Sequence, residues 1–105
     1  MSDASPTTDS NAFSLPPASF ALLVLSLRAQ CESHLGLQVY GQEEKPEPSL
    51  DLARHGIDMM AMLLEKTKGN LSMEEHRLLE NSVTELRFRF VQVSDEIAKA
   101  SAQQA

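Results

Sequence analysis

The chain has no tryptophan, one tyrosine and a single cysteine, and only nine of its 105 residues are basic. Each shortage removes a class of function. With Cys31 alone, neither an intrachain disulfide nor a zinc site of paired thiolates can form, which fits a reducing compartment. Fifteen acidic residues against nine basic ones leave a net charge of −6, and no basic stripe is present to meet a phosphate backbone. Nucleic acid is therefore not an expected partner, and neither is an anionic membrane surface. The longest apolar run, Phe20 to Leu27 with only Ser26 interrupting it, is far short of the ~20 residues that span a bilayer. The opening residues show neither the charged region nor the cleavage site of a secretory signal. The expected location is the cytoplasm.

What is present is helical periodicity. Hydrophobic residues make up 42% of the chain, enough for one core in a domain of a size that is marginal alone. Residues 1–15 read as a disordered tail of Ser, Thr, Asp, Asn and Pro. Residues 16–100 read as the helical domain. Pro16 and Pro17 suit a first helical turn, where a missing N–H had no partner anyway. The first helix is expected over about 17–35, with Phe20, Val24, Leu27, Cys31 and Leu35 on one stripe and Gly36 ending it. A connection holding Glu43, Glu44 and Glu47 follows. Ser49 then caps a second helix over about 49–68, with Asp51 in its first turn and Lys66 and Lys68 in its last. Its stripe is Leu50, Ala53, Ile57, Met60 and Leu64.

The third helix is expected over about 72–99, with 101–105 a frayed end. Ser72 and Glu75 have the spacing of a capping box. His76, Leu79, Val83, Leu86, Phe90, Val93 and Ile97 then alternate steps of three and four without a miss. The fold class is all-α, a three-helix arrangement whose C-terminal pair forms an antiparallel helical hairpin. Gly69, in the short turn between them, is expected at positive φ. A third helix of roughly 40 Å against a second of roughly 30 Å leaves Val93 and Ile97 overhanging.

The run Ala53-Arg54-His55-Gly56-Ile57-Asp58, then Met62 through Ser72 with its Lys-Thr-Lys-Gly-Asn-Leu block, then Glu75, Leu78-Leu79 and Leu86-Arg87, resembles the small bacterial family catalogued as domain of unknown function 1844. Phe20 to Leu27 and Leu35-Gly36 suit the same family's first helix. The resemblance spans about Phe20 to Val93. It implies a short helical bacterial protein without an established activity, and it carries over no catalytic or binding residue.

Several clusters invite a chemical reading. Lys66 to Asn70 before a helix N-terminus suggests an anion site, but it lacks a Walker loop's glycines, and a tight turn with dipole-complementing lysines is preferred. Asp51, His55 and Asp58 share one helix face and suggest a metal or small-ligand site, against a solvated flank. Cys31 with His34 one turn on could make a nucleophile, against packing on an apolar stripe. No catalytic residue, metal ligand or cofactor is expected. Asp58 is expected to pair with Arg87 or Arg54 and to fix the register. Met59, Met62 and Phe88 point away from the Met60 seam, and core and partner contact fit them equally.

The expected function is thus a non-enzymatic interaction module. It would self-associate, most simply as a dimer, through Leu22 and Leu25 of the first helix and the Val93 and Ile97 overhang, with another protein as a further partner. The alternative is small-ligand or metal binding at the His55/Asp58 face.

Overall fold

A computed structural model describes residues 14–37 and 46–104. They form three helices: α1, Phe20–His34, α2, Leu50–Lys66, and α3, Met73–Gln104. The tail over 1–13 and the acidic connection around Glu43 and Glu44 lie outside the described residues.

α1 begins three residues later than the prolines suggested. Ser19 is extended, at φ −152° and ψ 159°, and its Oγ accepts from the Leu22 amide at 3.0 Å. A serine that serves an otherwise orphaned amide sets the start more strongly than a proline that is merely tolerated. The helix ends as Gly36 implied. Gly36 has φ +82°, its amide donates to Ser33, and the Leu37 amide reaches back to Glu32 at 2.9 Å. This pair of bonds closes a Schellman turn.

At the start of α2, Ser49 occupies the cap position, but its side chain makes no capping bond. Its amide is drawn instead to the His34 carbonyl at 2.6 Å, which ties the entry of α2 to the exit of α1. The far end of α2 comes two residues before the expected 68. The Thr67 hydroxyl donates to the Leu63 carbonyl at 2.8 Å in the C-cap position, and Gly69 follows at φ +85°. α3 opens with the expected capping box: the Ser72 amide donates to Glu75 Oε1 at 2.8 Å and the Glu75 amide to Ser72 Oγ at 3.1 Å. It then runs to Gln104, past the end expected near 99. No Gly or Pro interrupts residues 73–104, and Ala98, Ala100 and Ala102 favour continuation.

All three helices contact one another. Val24, Cys31 and Leu35 from α1, Ala53, Ile57 and Met60 from α2, and Leu79, Val83, Leu86 and Val93 from α3 form the buried core. Burial of each larger aliphatic side chain contributes about 1.5–3 kcal/mol. Val93 does not overhang. It belongs to the buried core at 8% exposure, whereas Ile97, one turn on, is 37% exposed.

Candidate interaction surface

The chemical clusters do not assemble. Lys68 is paired with Glu65 at 3.8 Å, and the first-turn amides of α3 face the capping box and Glu74, so the turn is already supplied with negative charge. Cys31 is buried, its Sγ 3.9 Å from Met60 Sδ. Burial pushes its thiol pKa up, and neighbouring Glu32 adds to the effect, so the reactive thiolate is disfavoured. Among the described residues no group of three or more His, Cys, Asp or Glu side chains lies close enough to hold a metal ion. His55 and Asp58 line different grooves: His55 faces α1 beside His34 and Met59, and Asp58 faces α3 beside Arg87 and Phe90.

The expected Asp58 ion pair is not formed. Asp58 is exposed, and no salt bridge joins it to Arg54 or Arg87 among the described residues. Arg54 instead lies over the Phe90 ring, 5.3 Å from its centroid. A half-buried aromatic face holds a guanidinium without immobilising a second flexible chain. The contact also places the early part of α2 beside the later part of α3, so the two run in opposite directions from the turn.

The interhelical ion pair lies elsewhere. Arg28 bridges α1 to α3 through Glu85, holds Glu32 on its own helix at 3.3 Å, and donates to Ser82 Oγ at 3.4 Å. Ser82 is wholly buried, so that bond satisfies a hydroxyl that would otherwise be costly inside. Burial lowers the Arg28 pKa, but the bonds and charges of Glu85 and Glu32 outweigh it and raise the pKa above its ordinary value. One signal did exist. Arg28 is the sole Lys or Arg between residues 17 and 35.

The bundle also leaves large apolar side chains open. On α1, Leu22, Leu23 and Leu25 are 38%, 46% and 50% exposed. These are positions that a helix apolar on every side cannot turn inward together with Val24 and Cys31. Met59 and Met62 are open on α2, and Phe88 and Val91 on α3. Gly56, which the sequence reading passed over, is the crossing point of α1 and α2, since a Cβ there would stand 2.7 Å from Cys31 Sγ. A glycine inside a helix costs roughly 1 kcal/mol against alanine and so signals such a close approach.

No helix among the described residues is long and apolar enough to cross a membrane. No curated protein and no solved structure matches the chain. A family model does match, over residues 17–92, from Pro17 before α1 to the middle of α3. The chain belongs to the family described as Domain of unknown function (DUF1844).

Proposed function

We propose that this protein is a non-catalytic helical module that works by binding protein, first of all a second copy of itself. The observation that carries the reading is the uncovered apolar surface. Large aliphatic, methionine and aromatic side chains stand open on all three helices of a small domain, where burial of each would add on the order of 1.5–3 kcal/mol. Where such side chains lie together in a contiguous patch, they mark a contact surface. Among the described residues, Ser72 and Glu75 are engaged in capping, Lys68 in an exposed ion pair and Cys31 in packing, which supports a binding role over a catalytic one.

Light scattering behind a sizing column tests the reading. The expected mass is at least twice the 11.6 kDa of one chain at micromolar concentration, falling on dilution. A mass of one chain at every concentration, together with no binding to any protein, would defeat it.

A further inference from the structure

We infer that self-association runs through the outer face of α3, with two copies antiparallel and the two-fold axis crossing the helix between Phe88 and Val91. The inference rests on the self-binding reading above and names its surface. Opposite the buried seam, α3 carries a second stripe: Thr84, Phe88, Val91, Asp95, Ala98 and Ala102, at steps of four, three, four, three and four. Every one of these residues is exposed. Phe88 and Val91, at 64% and 56% exposure, are an adjacent aromatic and β-branched pair facing solvent in mid-helix. A heptad-like stripe on the solvent side of a helix that already has a buried seam suits packing against another helix.

The charges identify that helix as another α3. Arg87 and Arg89 precede Val91, and Asp95 and Glu96 follow it. None of the four side chains has an ion pair or hydrogen bond among the described residues. A parallel copy would set arginine against arginine and carboxylate against carboxylate. An antiparallel copy reverses the order, and its Asp95 comes within about one helical turn of Arg87, twice per dimer by symmetry. Phe88 of each copy then packs on Val91 of the other. The far end of α3, where residues 98–103 are all exposed, gains a neighbour along Ala98 and Ala102. The leucine face of α1 is apolar as well, but Phe20 to Leu27 holds no charge to select an orientation.

The test is a charge swap in the full chain, read by light scattering on a sizing column over a dilution series. Arg87→Asp and Asp95→Arg are each expected to weaken association at least about tenfold, and the double variant to restore most of it, because reversed charges meet again across the axis. Both side chains are exposed, so the circular dichroism of every variant should match the parent. Phe88→Ser should likewise abolish association while leaving the fold intact. If the parent associates and neither single swap nor Phe88→Ser changes it, the α3 surface is overturned while self-binding stands. Loss of association in a Leu22→Ser, Leu25→Ser variant alone would move the interface to α1 and overturn the α3 assignment in the same way. A parent that stays at one-chain mass at every concentration removes both the surface and the self-binding on which it rests.

Discussion

The two contacts made by α2 are built on different terms. On the α1 side, glycines stand where a side chain would collide. A Cβ at Gly36 would stand 2.8 Å from Pro48 Cγ, and one at Gly56 2.7 Å from Cys31 Sγ. Against α3, the same kind of residue sits in the open. Gly69 has nearly the conformation of Gly36, φ +85° against +82°, yet a Cβ there meets nothing within 4 Å. A groove remains on each side, about 230 Å³ against α1 and about 250 Å³ against α3, so the contrast lies at the glycines and not in the space between the helices. The difference follows from connectivity. Six residues, 67–72, join α2 to α3, and with Gly69 and the Ser72–Glu75 box they fix the register locally. Fifteen residues, 35–49, separate α1 from α2, and a connection of that length leaves the register to the fit of the two surfaces.

If this contrast is right, substitutions on the α1 side should cost most. Gly36→Ala is expected to show the largest effect, about 3 kcal/mol. An L-residue at positive φ loses roughly 1–2 kcal/mol, and the clash with Pro48 adds an overpacking cost of similar size. Urea denaturation measures it, and a loss under about 1 kcal/mol would mean that Pro48 yields freely. Gly56→Ala comes next, at about 1–2 kcal/mol net. The alanine gains roughly 1 kcal/mol of helix propensity, but the crowding of Cys31 exceeds that gain. Because the crowding is mutual, Cys31→Ala should suppress the penalty in the double variant, a non-additivity of at least about 0.5 kcal/mol. Additive single effects would show that the two residues do not share the space.

The same contrast explains what was legible in the sequence. The α3 seam, the capping box, Gly69 and the Gly36 stop are local patterns, each written within a few residues, and each has its counterpart in the fold. Contacts between residues far apart in the chain were not readable in that way. Arg28 meets Ser82 and Glu85 across more than fifty positions, and only its isolation in an apolar helix hinted at a partner. The sequence puts Asp58 near Arg87 and Arg54, but proximity along a helix does not say which way a side chain leans. Arg54 leans onto Phe90. Val93 meets the same limit: the length of the second helix alone does not tell whether a residue beyond it is covered, and Val93 is buried in the core.

On the α3 side the effects should be smaller. Gly69→Ala keeps the backbone penalty of the left-handed region, about 1 kcal/mol, and adds no clash. It should therefore cost clearly less than Gly36→Ala despite the matching φ. Asparagine tolerates that region better than alanine, and Gly69→Asn should recover part of the loss, whereas at Gly36 the larger side chain should give no recovery. Equal costs for alanine at the two glycines would break the comparison, because backbone strain alone would then account for both.

The smallest effect is expected at Asp58. A half-buried ion pair that fixed the register would lose about 1–3 kcal/mol on truncation, since the abandoned partner stays behind in a poorly solvated place. Asp58 is exposed and pairs with neither arginine beside it, so its removal strands no buried charge. It also lies inside α2, where alanine is a better helix former than aspartate by up to about 0.7 kcal/mol. These considerations put Asp58→Ala between neutral and slightly stabilising, within about 0.5 kcal/mol of the parent. The measurement should be made at one fixed protein concentration, so that association does not shift the midpoint. A loss above 1 kcal/mol would reveal a pair formed in solution with Arg54 or Arg87, and the α2–α3 contact would then be pinned by charge as well as by its short turn.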